Sequence, residues 1–356
     1  MKDEVWVLGA TGRTGRAVAR RLHDAGVPLV LVGRDRGRLD AVAATLDRPP
    51  RLVVDGLTAA LARLGDEAPG VVVSTVGPFT RTAVEVARAC PPGSHYVDVA
   101  NELGAVEAVL ALDDHAKQAG QVLVTGAGFG VLATESVVLR LCAGRPTPTE
   151  VRVDALPSLA LEAGVIGAAL AGTIVEVIAG GGREVRDGRL QPAAFAGHPL
   201  RLRTPDGDVL STGSGPNGEL IAAWRASGAG SVIAASTAAP ANPVLRRLLP
   251  GVVALTRAPG VGRVAASALA RVPMRAQVMP ARSSWGHARV QWPSGEVREG
   301  WLRVGDAMDF TVAVTTEVTR RLLGGEGRPG SYTPGALFGP GLAEAANGTF
   351  VIEEAA

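Results

Sequence analysis

Six short apolar runs near the start of the chain, each followed by an amphipathic stretch, restrict its fold more than any other feature. They occupy residues 5–8, 29–32, 52–54, 71–73, 96–99 and 122–124. Each is too short for a helix and most are β-branched, as strands buried on both faces of a parallel sheet tend to be. Residues 14–25, 38–46, 80–89 and 103–119 between them read as helices. The repetition of strand and helix predicts an α/β fold with a doubly wound parallel sheet of six strands. After Gly126 the rhythm breaks, and proline and glycine space the apolar segments irregularly. Strands are expected there at 150–155, 200–203, 231–235, 288–292 and 310–316, with helices over 163–178 and 219–225. That pattern predicts an α+β second domain, and the glycine-rich stretch 324–330 reads as a flexible link.

Charge narrows the ligands. The 356 residues include 36 basic and 34 acidic side chains, and neither sign forms a long block, which argues against a nucleic-acid surface and for a small-molecule substrate. Lys2 and Lys117 are the only lysines, so Schiff-base chemistry has almost no candidates. Cys90 and Cys142 lie far apart after helix-like segments, as core thiols of a reducing compartment do. The start runs into a strand with no charged leader, which sets a cytoplasmic expectation. The weakly polar stretch 163–175, preceded by Glu162, falls short of the roughly 20 residues that span a bilayer. Residues 228–273 are apolar on average but are interrupted by Pro240, Pro243, Pro250, Pro259, Pro273 and several arginines, which leaves peripheral membrane contact open.

Gly9-Ala10-Thr11-Gly12-Arg13-Thr14-Gly15 stands between the first strand and the first helix. A diphosphate needs backbone N–H groups without obstructing side chains, and a helix N-terminus adds partial positive charge, so the motif predicts a Rossmann-type dinucleotide site. The second strand ends in Gly33-Arg34-Asp35. Arginine there can grip the 2′-phosphate of NADP, so Arg34 predicts NADP(H), while Asp35 can turn toward the ribose instead. Arg13, Arg36 and Arg38 either reinforce that charge or are solvated surface cations. Asp55 after the third strand either contacts adenine or closes a plain turn. Ser74-Thr75-Val76-Gly77-Pro78-Phe79 follows the fourth strand and should border the nicotinamide end. Ala100, Asn101 and Glu102 follow the fifth strand, and a loop over residues 126–135 follows the sixth, bringing Gly128, Phe129, Thr134 and Glu135 to the same carboxyl edge.

These segments resemble the saccharopine dehydrogenase-like oxidoreductases, a family that includes saccharopine reductase and bacterial trans-acting enoyl reductases. The likeness lies in GATGRTG with VGRDRGRL, in VVVSTVGPF, HYVDVANE and GAGFGV, and further on in AGTIVEVIAGGG, VRDGRLQP, STGSGPN and SYTPGALFGPGL. The resemblance implies an NADP-binding Rossmann domain over 1–128, a substrate and dimerisation domain over 129–324 that makes a homodimer, and a C-terminal segment, 325–356, that packs back on the first domain. The chain departs from the family where Gly130 replaces an aspartate of the last loop and Asn101-Glu102 replaces Gly-Glu. The lysine–aspartate pair of saccharopine chemistry has no match, so saccharopine itself is not the expected substrate.

Absences sharpen the expectation. Neither Tyr96 nor Tyr332 is followed at the fourth residue by lysine, so the short-chain dehydrogenase mechanism is excluded. No nucleophile elbow, P-loop lysine or zinc-binding helix occurs, the five histidines are scattered, and no metal is expected. His95 and Tyr96 read as buried structural residues before they read as acids. The catalytic candidates are Glu102, Glu135 and Thr134. Because acids are few, the expected reaction is hydride transfer from NADPH to a C=N bond, for which a carboxylate can stabilise an iminium. An NADPH-dependent enoyl reductase is the alternative, and an NADP(H)-binding redox sensor is the non-enzymatic one.

Overall fold

The computed structural model describes residues 3–47, 51–160, 163–239, 243–256, 258, 260–276 and 278–352, which divide into two compact units. Met1, Lys2, Glu162, Pro240 and Pro259 lie outside the described residues. The first unit takes residues up to Ala100, then Gly104–Gly128 and Thr311–Phe338. It opens with β1 (Val5–Leu8), α1 (Arg13–Asp24), β2 (Leu29–Gly33), α2 (Arg36–Ala43), β3 (Arg51–Val54), α3 (Leu57–Glu67), β4 (Val71–Ser74), α4 (Phe79–Ala89) and β5 (His95–Asp98). Then come α5 (Leu103–Leu110), α6 (Asp113–Gln118) and β6 (Val122–Val124). Every residue of β1 and β4 is buried, which is why they read as unbroken apolar runs. The expected single helix over 103–119 is two, because the break before Asp113 lets its carboxylate accept the Ser331 N–H at 2.9 Å.

The second unit takes 101–103, Phe129–Phe310 and the residues from Gly339 on. Its elements begin with α7 (Phe129–Cys142), β7 (Glu150–Leu156), β8 (Gly164–Val165), α8 (Ala168–Gly180), β9 (Gly182–Arg186), β10 (Arg189–Ala193), β11 (Leu200–Arg203) and β12 (Val209–Ser214). They continue with α9 (Gly218–Ser227), β13 (Ser231–Ser236), α10 (Pro243–Thr256), α11 (Val261–Ala270), β14 (Pro273–Met274), β15 (Ser284–Gln291) and β16 (Val297–Val304). The large sheet runs β10-β9-β13-β7-β15-β16, with β12 joining β13 and β11 joining β12. It is mixed, since β13 and β7 are parallel while β7, β15 and β16 are antiparallel. Leu156, Leu202 and Trp285 form a core cluster on it, with Trp301 edge-on to Trp285.

The remaining elements are α12 (Ala307–Leu323), β17 (Gly330–Tyr332), α13 (Pro334–Phe338), α14 (Gly341–Ala345) and β18 (Thr349–Ile352). β17 adds a seventh parallel strand, giving the order β17-β6-β5-β4-β1-β2-β3. The strands stay parallel, but the order in which the chain adds them reverses between β1 and β4, where open α/β sheets bind ligands.

Several expectations are corrected. Residues 310–316 are helix, not strand: Asp306 accepts the Met308 N–H at 2.7 Å and starts α12, and burial of Phe310, Val314, Val318 and Leu322 outweighs the β-branched composition. The loop expected over 126–135 is α7 from Phe129 on, so thoroughly buried that Arg140 is its one exposed residue. Residues 164–165 form a short strand before α8, and the strand expected at 288–292 begins at Ser284. The return to the first unit begins at Thr311, and from Gly339 the chain belongs to the second unit instead. There β18 pairs with β16, and Phe350 lies under the Arg140 guanidinium at 4.3 Å. No helix among the described residues is long and apolar enough to cross a membrane.

Candidate functional site

The turn after β1 is built for a ligand that approaches backbone. Gly9 has φ +80°, and a Cβ there would lie 2.8 Å from Thr75 Oγ1. A Cβ on Gly15 would lie 2.3 Å from the Gly9 carbonyl oxygen, so only glycine lets α1 start this close to the strand. The Gly12 N–H donates to that carbonyl at 2.9 Å and closes the turn. No side chain caps α1, which leaves its amide end to an anion, and Thr11, Arg13 and Thr14 stand half-buried around it. These features fit the diphosphate of a dinucleotide.

The end of β2 places its two charged residues differently. Asp35 is the N-cap of α2, and its Oδ1 accepts the Arg38 N–H at 3.0 Å. Arg36 pairs with Asp40 at 2.9 Å and Arg38 lies 3.9 Å from Asp35, so both are engaged on the surface of α2. Arg34 is exposed and has no hydrogen bond or ion pair among the described residues, which leaves its planar donor fork for a phosphate. Asp55 lies 3.5 Å from Arg63 in an ion pair at the end of β3.

Ser74 ends β4 fully buried, and Thr75 donates its hydroxyl proton to Leu8 O at 2.9 Å, joining the ends of β4 and β1. Val76, Gly77 and Pro78 are half-buried, with a cis bond between the last two, and Phe79 begins α4. Asp98 at the end of β5 is a residue that sequence reasoning passed over. Its carboxyl accepts from Tyr96 Oη at 2.9 Å, Ala100 N at 2.9 Å, Thr125 Oγ1 at 3.0 Å and Gly126 N at 2.9 Å. One side chain thus pins the loops after β5 and β6, although burial pushes its pKa up to about 6. Gly128 closes this stretch, with space for a Cβ only 3.4 Å from Thr311. His95 Nδ1 accepts the Val122 N–H at 3.1 Å, so His95 and Tyr96 are structural.

In the second unit, Asn101 and Glu102 meet the start of α9. The Asn101 carbonyl accepts the Gly218 N–H at 2.7 Å. Glu102 is buried, and its carboxyl accepts the Thr173 hydroxyl at 2.8 Å and the Asn101 N–H at 3.1 Å. Opposite Asn101 stands Glu219, 2% exposed, with Oε1 3.5 Å from the Asn101 side-chain nitrogen and Oε2 without a partner among the described residues. Burial pushes its pKa up to about 7. A Cβ at position 130 would lie 2.2 Å from Glu219 Oε1, so Gly130 makes the room that this carboxyl fills. Glu219 was missed because a lone acid opening a helix reads as a dipole partner. The signal available was the glycine standing where relatives carry an aspartate.

The other two acid candidates fare differently. Thr134 is buried in α7 and donates to Gly130 O at 2.9 Å, an intrahelical bond that takes it out of the expected loop. Glu135, fully buried one residue on, lies in the same helix, and Phe129 packs edge-on against Phe310 at 6.2 Å. The structure therefore brings Asn101 and Glu102 together with Glu219, and does not present Thr134 or Glu135 from a loop.

Residues 5–124 match the family model described as the saccharopine dehydrogenase NADP binding domain. No curated protein matches the chain. Among solved structures, apo saccharopine dehydrogenase (L-Glu forming) from Saccharomyces cerevisiae superposes with a TM-score of 0.61 at 12% identity, covering 99% of this chain and 100% of that one. GenD2 from gentamicin A biosynthesis, in complex with NAD, covers 99% of this chain and 97% of its own at 14% identity and a TM-score of 0.45. Serine dehydrogenase from Escherichia coli covers 34% of this chain and 80% of its own, at 18% identity and a TM-score of 0.30. The first of these carries the two-domain fold, and the matched domain carries the cofactor. With its glycine turn and exposed Arg34 inside that domain, the chain carries an NADP-binding domain of the saccharopine dehydrogenase type and is an NADP-dependent oxidoreductase.

Proposed function

We propose that the protein reduces a C=N bond of a small-molecule metabolite with hydride from NADPH, and that Glu219 manages the proton. The carrying observation is the Glu219 carboxyl, buried beside Asn101 over Gly130 with one oxygen unpartnered among the described residues. Gly9, Gly12 and Gly15 would hold the diphosphate, with Thr11, Arg13 and Thr14 beside them, and Arg34 the 2′-phosphate. Residues 74–79 with Ala100 and Gly128, all in the first unit, would border the nicotinamide, which supplies the hydride. An acid near pKa 7 delivers a proton to a basic nitrogen and then stands as the counter-charge of the resulting cation.

The surroundings of Asn101 favour this over C=C reduction. Once Glu219 has given up its proton, it stands with Glu102 as a pair of carboxyl acceptors, which suits a cationic nitrogen better than the anionic oxygen of an enolate, and Asn101 Nδ2 already faces Glu219. NADPH oxidation by the purified chain against cyclic-imine and enoyl panels tests the reading. Consumption of imines, with kcat/KM falling as pH rises through about 7, is expected. Consumption of enoyl compounds alone would overturn it, and NADPH binding without turnover on either panel would favour the redox sensor.

A further inference from the structure

From Leu220 to Gly295 the chain has nine arginines and no aspartate or glutamate, so the rest carries 27 basic against 34 acidic residues. The centre of this stretch is α10, α11, β14 and the segment down to Arg282, all in the second unit. Elsewhere arginines are commonly paired, as Arg51 is with Glu4 and Glu67 and Arg321 with Glu317. Here Arg247, Arg263, Arg271, Arg275 and Arg282 are all exposed and make no ion pair or side-chain hydrogen bond among the described residues. Apolar side chains stand out between them: Leu255 is 60% exposed, Val264 70% and Val278 84%. Pairing of β14 with β8 adds Val165, 55% exposed. α11 packs along α8, yet not one of its ten residues is buried.

We infer that this face, α10 and α11 with residues 271–276 and 278–282, docks on an anionic lipid bilayer. Unpaired guanidinium groups seek phosphate and carboxylate headgroups, while the valines and leucine between them enter the boundary of the acyl chains. A second copy of the chain fits poorly, because a two-fold contact would set arginines against arginines with no acid between them. An ordinary protein partner fits less well than lipid, because no Phe, Tyr or Trp lies between Trp224 and Trp285 to serve as an interface anchor. Docking of this kind leaves the chain peripheral, in keeping with the lack of a spanning helix among the described residues.

The test is sedimentation of the full chain with phosphatidylcholine vesicles, with and without phosphatidylserine, at low and high salt. Binding to the anionic vesicles alone, released by salt, is expected. The Arg263→Glu/Arg271→Glu double variant should lower partitioning at least about ten-fold, as reversal of two surface cations implies. Val264→Asp should weaken it at low salt as well. Both variants should keep the wild-type thermal midpoint and NADPH affinity, which separates lost docking from lost folding. Absence of sedimentation with anionic vesicles at low salt, equal sedimentation with zwitterionic ones, or undiminished binding by the double variant would overturn the inference. Retention on polyglutamate without vesicle binding would overturn it in favour of an acidic protein partner.

Discussion

Asp98 and Glu219 are both carboxyls withdrawn from water, and they are held in opposite ways. Asp98 takes four hydrogen bonds from two loops and two side chains of its own unit, whereas Glu219 has one long side-chain contact, to Asn101, and an oxygen with no partner among the described residues. Burial raises both pKa values, to about 6 for Asp98 and about 7 for Glu219. Donors pull the first back toward ionisation and do little for the second. A satisfied buried carboxyl is a structural clamp. An unsatisfied one holds its proton near neutrality and is available for chemistry.

The sharpest way to break this contrast is Glu219→Gln. It should lower kcat/KM with an imine substrate by about 10²- to 10⁴-fold while leaving NADPH affinity unchanged, measured by steady-state kinetics and fluorescence titration. Asp98→Ala should do the reverse and act on the fold. Stripping the acceptor from four buried donors costs on the order of 3–5 kcal/mol, read from urea unfolding. A third measurement separates the two by pH. Because the folded pKa of Glu219 is raised from 4.5 to about 7, its contribution to stability is present below about pH 4.5 and lost as pH rises through 7. Glu219→Gln should therefore gain on the wild type by on the order of 3 kcal/mol between pH 4 and pH 8. Equal pH slopes for the two proteins would sink the assignment.

Smaller effects should follow at the cofactor. Arg34→Ala should weaken NADPH binding by about ten-fold and leave NADH binding unchanged, since only the 2′-phosphate distinguishes them. Asp55→Ala removes a partly exposed ion pair with Arg63 and should cost under about 0.5 kcal/mol in unfolding free energy.

The first unit was legible because its signals are local. Six β-branched runs and one glycine turn at a strand-to-helix junction carry nearly all of it. Its seventh strand was not, since Gly330–Tyr332 is three residues long and pairs with β6 from more than 200 positions away. α12 misled through composition: Thr311 to Thr316 reads as strand, yet Asp306 at its start and the Glu317 pairs with Arg320 and Arg321 near its end mark a helix. At the candidate site the loops were read in place, but Thr134 and Glu135 were assigned to a loop that is helix. Glu219 depends on a vacancy at Gly130, a relation between residues 89 positions apart that no window of sequence contains.

The late arrival of β17 has a consequence for biosynthesis. A nascent chain emerging from the ribosome exposes β6 as a bare sheet margin for some 200 residues of translation, until Gly330–Tyr332 appear and cover it. Premature termination before Gly330 should therefore leave a sticky fragment that recruits other strands, so expression of such truncations should yield inclusion bodies rather than a free cofactor-binding domain.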